Sequence, residues 1–228
     1  MRGDEDIGGA EGGRVALVAG ASGLVGRALV ARLCADPGVA RVHALARRPL
    51  AMDAPKLQLH VVAFDRLPAL PPVDEAYLAL GTTIAVAGSR EAFRAVDFGA
   101  NLAVARAALA AGARRIGLVS AMGADAASRV FYSRVKGELE DALAALPLQA
   151  LVIARPSLLL GDRDRLGQPR RRGEHLAAGL DRWLRPLIPA RLRGIAADDV
   201  AAALVAALAH GQGRLVLDSA HMQGAARD

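Results

Sequence analysis

Val15 to Gly26 reads VALVAGASGLVG, a short apolar run followed by three spaced glycines. Such a run is typical of a strand buried on both faces of a parallel sheet. Glycine at 20 permits a tight turn, Gly23 lets a pyrophosphate approach the backbone, and Gly26 lets a helix pack close to the sheet. The stretch therefore predicts a phosphate-binding turn at a helix N-terminus, where free N–H groups favour anions. A purely structural turn is the alternative.

Apolar runs alternate with Ala-rich amphipathic stretches along most of the chain. Because parallel strands require crossover connections, this alternation predicts an α/β fold with a doubly wound parallel sheet and helices on both faces. The predicted strands are 15–19, 41–46, 57–63, 75–80, 116–120, 149–154 and 213–217. The predicted helices are 24–34, 89–111 with a break near Phe98-Gly99, 131–146, 174–184 and 198–209.

The domain organisation follows from the same patterns. A single domain is expected over residues 14–218, since no composition break interrupts it. Residues 1–13 are acidic and Gly-rich and are predicted to form a disordered tail. Residues 161–193 are expected to form an irregular, Arg-rich cap segment, and residues 219–228 a loose C-terminal tail.

Composition excludes several classes of protein. The single Cys34 cannot form an internal disulfide and offers no thiolate cluster, so no metal site is expected. No stretch approaches the roughly 20 apolar residues that cross a bilayer, and the N-terminus does not resemble a signal peptide. A protein located in the cytoplasm and not in a membrane is therefore expected.

The net charge of +6 is concentrated in one segment. From Arg155 to Arg193 there are ten Arg against four acidic residues. A basic surface of this kind could bind an anionic substrate, although a solvated face is the simpler interpretation. Trp183 is the one Phe, Tyr or Trp of the segment, which therefore lacks the interleaved aromatic residues that stack on bases, so nucleic-acid binding is not expected.

The second predicted strand indicates which dinucleotide is bound. An NAD site usually carries an acidic residue about 20 residues past the glycines, whereas this chain has Arg47 and Arg48 there. Guanidinium groups suit a 2′-phosphate, so NADP(H) is favoured over NAD(H). Further candidate cofactor contacts in the turn and at the strand ends are Ser22, Leu24, Val25, Asp65, Leu80, Gly81 and Thr82.

The segment YSRVK contains one of only two tyrosines and one of only two lysines, Tyr132 and Lys136. Four residues apart on a helix, they face the same side. A phenol is a poor acid at neutral pH, but a neighbouring ammonium stabilises phenolate. Ser120, at the end of the fifth predicted strand, could orient a carbonyl by a hydrogen bond. These residues indicate an acid/base site, and solvated positions at a helix start are the alternative.

Three segments carry a family resemblance: LGTTIAVAGSREAFRAVDFGANLAVARAALAAGARRIGLVSAMGAD (80–125), FYSRVKGELEDAL (131–143) and IARPSLLLGDR (153–163). Together with the glycine turn, they resemble the short-chain dehydrogenase/reductase superfamily, of the extended or atypical kind. More narrowly, they look like its Tat-interacting-protein group. The resemblance covers residues 14–218.

The resemblance implies a Rossmann domain that binds NADP(H). It implies Tyr132 as acid/base, Lys136 as its partner and Ser120 in the serine role. Pro156 and Ser157 match the loop that meets the nicotinamide end of the cofactor. The family often has a second serine where this chain has Ala121, so the serine role could instead be vacant or fall to Ser128. Dimers are common in this superfamily, so a homodimer is expected.

The expected function is an NADP(H)-dependent oxidoreductase that transfers hydride to or from a small carbonyl or alcohol. One alternative is an NADP(H)-binding sensor or scaffold without turnover, which Ala121 and the regulatory reputation of the group favour. Another is epimerisation or dehydration of a nucleotide sugar, for which the cap segment is short.

Overall fold

The computed structural model describes residues 12–160 and 192–227. The strands are β1 (Arg14–Ala19), β2 (Val39–Ala46), β3 (Leu57–Val61), β4 (Glu75–Leu78), β5 (Arg115–Val119), β6 (Ala150–Arg155), β7 (Leu159–Leu160), β8 (Ile195–Ala196) and β9 (Gly213–Asp218). The helices are α1 (Leu24–Ala35), α2 (Ile84–Ala87), α3 (Arg90–Arg94), a π-helix (Ala95–Ala100), α4 (Asn101–Ala110), α5 (Phe131–Ala144), α6 (Ala197–His210) and α7 (Ser219–Met222).

Seven strands form one sheet in the order β3-β2-β1-β4-β5-β6-β9. All neighbours in this sheet are parallel. The strand order reverses between β1 and β4, and open α/β sheets bind ligands at the carboxyl ends of strands beside such a reversal. The predicted doubly wound α/β fold is confirmed, and the predicted glycine turn lies at this position.

The sheet has an apolar core on each face. Along β1, Ala16 and Val18 face one core, whereas Leu17 and Ala19 face the other. Helices α1 and α6 cover the first face, and α4 and α5 cover the second. Because β1 is buried on both faces, it is apolar along nearly its whole length, which is the pattern that predicted it.

The predicted helix over 89–111 consists of several pieces. Ser89 caps α3, since its hydroxyl oxygen accepts a hydrogen bond from the N–H of Ala92 at 3.0 Å. The π-helix follows, and it contains both Asp97 and Gly99. The predicted break near Phe98-Gly99 therefore takes the form of a widened helical turn. Such turns are frequent at functional sites.

The C-terminal residues differ from expectation. Residues 219–222 form α7, whose first turn is capped by the Asp218 carboxylate accepting from the N–H of His221 at 3.0 Å. Ser219 and Met222 are buried. The expected loose tail over 219–228 is wrong for this turn, because Met222 packs in the core beside α6.

Three expectations lie outside the described residues. They concern the disordered tail, for residues 1–11, the Arg-rich cap segment, for residues 161–191, and the predicted helix over 174–184. Within the two described stretches, no helix is long and apolar enough to cross a membrane.

Candidate functional site

The glycine turn between β1 and α1 depends on two of its three glycines for its shape. Gly20 has φ +92°, and a Cβ on it would lie 2.5 Å from the carbonyl oxygen of Ala79. A Cβ on Gly26 would lie 2.1 Å from the carbonyl oxygen of Gly20. At Gly23 the nearest atom would be the Gly20 oxygen at 3.4 Å, so this backbone is open to an approaching group.

The start of α1 suits an anion. Gly23 is the N-cap residue and provides no side-chain hydrogen bond, and the first turn holds no acidic residue. Uncapped N–H groups and the helix dipole favour negative charge at this end. Of the other predicted contacts, Ser22 is exposed and Leu24 is half-buried. Val25 is buried in the core, so only its backbone could reach a ligand.

Arg47 and Arg48 follow β2 directly, and both are exposed. Strand β2 lies beside β1, with Leu45 opposite Ala19, so the two arginines leave the sheet next to the glycine turn. Asp65 is also exposed, in a turn after β3 in which the Arg66 N–H donates to the Ala63 carbonyl at 3.1 Å. The predicted cofactor residues of these two strands therefore lie at the same edge of the sheet.

The loop after β4 is held by two buried polar side chains of the helical segment. The Thr82 N–H donates to Asp97 Oδ2 at 2.9 Å. The carbonyl of Leu80 accepts from Asn101 Nδ2 at 3.1 Å. Gly81 is exposed between them, and a Cβ on it would meet only Asp97 Oδ1, at 3.7 Å. The predicted residues of this loop thus present an open backbone.

Tyr132 and Lys136 lie on the first two turns of α5. Tyr132 is 37% exposed, and its ring packs against Phe93 with 5.5 Å between ring centroids. Lys136 is buried, and its Nζ lies 2.7 Å from Asp97 Oδ1. The two residues therefore combine an accessible phenol with a buried, ion-paired ammonium.

Ser120 lies where predicted, after β5, but its hydroxyl is engaged. It is buried and donates to Glu140 Oε1 at 2.6 Å. Glu140 also accepts from Arg155 Nε at 3.0 Å, and the hydrogen bond to Glu140 raises the pKa of the Arg155 guanidinium above its usual value. In this geometry the hydroxyl proton of Ser120 points to a carboxylate and not to a substrate carbonyl.

The remaining predicted residues lie in the loops beside α5 and β6. Ser128 Oγ accepts from the Val130 N–H at 3.1 Å. The carbonyl of Pro156 accepts from the Met122 N–H at 2.9 Å. The Ser157 N–H donates to Ser219 Oγ at 2.7 Å, which ties this loop to the start of α7.

Three buried polar residues of the site were not predicted: Asp97, Asn101 and Glu140. Asp97 and Asn101 lie in AVDFGAN, and an acid and an amide inside an otherwise Ala-rich helix are a signal for a buried polar role. Glu140 lies one helical turn after Lys136, which also places it on the Tyr132 face of α5. Spacing along the helix could have found it.

Comparison with known proteins identifies the relatives of this chain, although no protein-family model matches it. The mitochondrial protein fmp52 of Emericella nidulans is 39% identical over 160 residues, which are 66% of this chain and 68% of that protein. FMP52 of Eremothecium gossypii is 40% identical over 152 residues, 65% of this chain and 68% of that protein. The chain belongs to the Fmp52 family.

The names of these Fmp52 relatives correct one expectation. Relatives at 35–40% identity are named as mitochondrial proteins, which contradicts the expected cytoplasmic location. The expectation depended on a single cysteine and on the absence of a signal peptide. A lone cysteine excludes an internal disulfide and does not distinguish one compartment with reduced thiols from another.

Solved structures share the fold of this Fmp52-family chain. A short-chain dehydrogenase/reductase family oxidoreductase from Burkholderia thailandensis aligns with a TM-score of 0.67 and 23% identity, covering 92% of both chains. MoeE5 in complex with UDP-glucose and NAD aligns with a TM-score of 0.65 and 20% identity, covering 89% of this chain and 74% of that one. The expected short-chain dehydrogenase/reductase fold is confirmed.

Proposed function

We propose that the protein is an NADP(H)-dependent oxidoreductase that transfers hydride to or from a small carbonyl or alcohol, with Tyr132 as the acid/base. One observation carries the proposal. A single buried carboxylate, Asp97, contacts both the Lys136 ammonium and the N–H of Thr82 in the predicted cofactor loop. One carboxylate therefore links the candidate catalytic lysine to the loop after β4, which carries candidate cofactor contacts.

The residues of the glycine turn fit a dinucleotide. Gly23 presents open backbone at an uncapped helix start, where a pyrophosphate could approach. Arg47 and Arg48, exposed at the neighbouring strand end, would bind a 2′-phosphate and so favour NADP(H). A bound nicotinamide cofactor would supply the hydride for the reaction.

Tyr132 and Lys136 would carry out the proton transfer. In the reducing direction, the exposed phenol donates its proton to the carbonyl oxygen as negative charge develops there. The Lys136 ammonium, one helical turn away, stabilises the resulting phenolate. Ser120 already donates to Glu140, so in this geometry the carbonyl oxygen receives its hydrogen bond from Tyr132 or from Ser128.

Fluorescence titration with NADPH and NADH tests the cofactor assignment. Arg47→Ala/Arg48→Ala should weaken NADPH binding at least about tenfold and leave NADH binding nearly unchanged, because charge-assisted contacts to the 2′-phosphate are lost. Arg106→Ala/Arg227→Ala, which removes two exposed charges elsewhere, is the matched control. Equal loss for both nucleotides would contradict a 2′-phosphate contact, and no binding of either would refute the proposal.

A carbonyl panel then tests the reaction, with Tyr132→Phe as the inactive control. Ser120→Ala and Ser128→Ala compare the two candidates for the serine role. If one of the two serines contacts the substrate, removal of its hydroxyl should lower kcat by about 100-fold or more. Activity that survives in Tyr132→Phe would refute the acid/base assignment.

A sensor that binds NADP(H) without turnover is the second candidate. The engagement of Ser120 by Glu140, together with Ala121 at the next position, favours it, because no donor in the serine role is then free at the end of β5. A cofactor-dependent change in oligomeric state, measured by light scattering, with no reductase activity over the panel would support the sensor.

A further inference from the structure

The Lys136–Asp97 pair is closed off from solvent. The side chain of Lys136 is 5% exposed and that of Asp97 is 1% exposed, and the two charged atoms lie 2.7 Å apart. Asp97 belongs to the π-helix, whose widened turn carries it to the loop after β4. The pair therefore joins α5 to the π-helix through an ion pair in the protein interior.

Asp97 is the carboxylate that contacts Lys136. On its own helix, Lys136 has Tyr132 one turn before it and Glu140 one turn after it. The Glu140 carboxylate is held by Arg155 Nη2 at 2.5 Å and by Arg214 Nη2 at 3.4 Å, and it also accepts from Ser120. The charge of Glu140 is thus already matched. Asn101, the first residue of α4, is neutral and donates its side-chain N–H to the backbone carbonyl of Asp97.

A buried ammonium keeps its proton only if its charge is compensated. Removing an ion from water without a partner is unfavourable, and the usual response of a buried lysine is to lose its proton. Breaking one side of a buried pair is therefore costly, whereas removing both sides is often tolerated.

We propose that Asp97 is a positioning residue for Lys136. It keeps the Lys136 ammonium charged and holds it beside the loop after β4, which carries the candidate cofactor contacts Leu80, Gly81 and Thr82. Its second oxygen binds the N–H of Thr82, so the same carboxylate also fixes the loop after β4. The consequence for proton transfer by Tyr132 rests on the proposed function. The charge state of Lys136 does not, because it can be measured without cofactor or substrate.

The first test is NMR titration of protein carrying isotope-labelled lysine, in which the side-chain signals report protonation. The chain has only Lys56 and Lys136, so Lys56→Arg assigns both signals. In Asp97→Asn, Lys136 should lose its proton at a lower pH than in the unaltered protein, because the burial of the ammonium is then uncompensated. Asp74→Asn, which removes an exposed carboxylate bonded to the Val15 N–H, is the control for net charge and should leave Lys136 unchanged. Titration of Lys136 at the same pH with and without Asp97→Asn would overturn the proposal.

Folding gives a second test if Asp97→Asn alone does not yield folded protein. The double variant Asp97→Asn/Lys136→Met removes both buried charges and should recover a cooperative urea transition. Recovery supports the proposal, because it assigns the defect to the uncompensated ammonium. A double variant as unfolded as the single one would overturn it, since Asp97 would then act mainly through the Thr82 loop.

The pH profile of kcat/KM gives the catalytic readout. Asp97→Asn should shift the alkaline limb of the profile to lower pH by at least about one unit, because Lys136 loses its charge earlier. Asp97→Glu keeps the charge and should restore the limb, which a merely structural role would not do. If the alkaline limb of the profile does not shift in Asp97→Asn, the proposed effect of Asp97 on proton transfer is overturned. If no nucleotide binds, the proposed function fails, while the lysine titration still decides the role of Asp97.

Discussion

The glycine turn provides a test that separates fold from cofactor binding. Gly26→Ala places a methyl group 2.1 Å from the Gly20 oxygen and 3.0 Å from the Ala21 Cα. All of these contacts are backbone, so no side chain can move to relieve them. Gly23→Ala places its methyl group no closer than 3.4 Å to the same oxygen, which is ordinary van der Waals contact.

The expected magnitudes follow from these distances. To bring the Gly26→Ala contact from 2.1 Å to an ordinary 3.4 Å, α1 must move away from the turn by roughly 1.3 Å. Leu29 and Leu33 of α1 are fully buried against the sheet, so the movement strains a close-packed core. Overpacking of this kind costs about 1–3 kcal/mol, out of a free energy of unfolding of about 5–15 kcal/mol. Gly23→Ala should change stability by about 0.5 kcal/mol or less, because the lower entropy of alanine in the unfolded chain offsets its poorer N-capping at this extended backbone.

Urea unfolding monitored by circular dichroism measures the change in stability, and NADPH titration measures the change in cofactor binding. We expect Gly26→Ala to lower the unfolding midpoint, and Gly23→Ala to keep the midpoint but weaken NADPH binding at least about tenfold. A Gly26→Ala protein as stable as the unaltered one would show that the turn tolerates the added methyl group. Normal NADPH binding by Gly23→Ala would show that the open backbone at Gly23 does not face a phosphate.

Three further variants test other parts of the structure. Arg115 donates to the carbonyls of Leu208 and Gly211 at the end of α6, so Arg115→Met should lower the free energy of unfolding by about 1–3 kcal/mol, whereas Arg106→Met should not. Burial, with smaller effects of His60 and Arg41, lowers the pKa of His43 below its usual 6.5. Below about pH 6.5 the unfolded chain then binds more protons than the folded one, so the free energy of unfolding should decrease as the pH falls from 7. A decrease of the same size in His43→Gln would contradict this assignment. Ser120→Ala should lower the free energy of unfolding by about 0.5–1.5 kcal/mol through its bond to Glu140, and an unchanged urea midpoint would show that this bond contributes nothing.

The strands and the glycine turn could be predicted because their signals are local. VALVA predicted 15–19, and β1 spans Arg14–Ala19, since a strand buried on both faces must be apolar at successive positions. The α5 segment was equally clear, because Pro147 follows shortly after its end at Ala144. Strand β9 is exposed along much of its length, but its apolar run next to Gly213 still identified it.

The polar connections of the site could not be predicted, because they join residues distant in sequence. The partner of Ser120 is twenty residues later on α5, and Glu140 is in turn held by Arg155 and by Arg214 of β9. Similarly, Asp97 acts through a π-helical turn whose extra width is not encoded by helical periodicity. The sequence showed which residue types were present, whereas the packing of α5 against the sheet determined their partners.

The two buried carboxylates of the site contact different basic groups. Asp97 contacts Lys136, and Glu140 contacts Arg155. Because Glu140 lies one turn from Lys136 on the same helix, an uncompensated Glu140 would compete with Asp97 for the ammonium and draw it away from the cofactor loop. Arg155 offsets the charge of Glu140 and also holds the carboxylate that accepts the hydrogen bond of the Ser120 hydroxyl. The buried side chains of α5 thus hold Lys136 on Asp97 and engage the Ser120 hydroxyl on Glu140. A reductase of the proposed kind would therefore take its carbonyl contact from Tyr132 or Ser128 and not from Ser120.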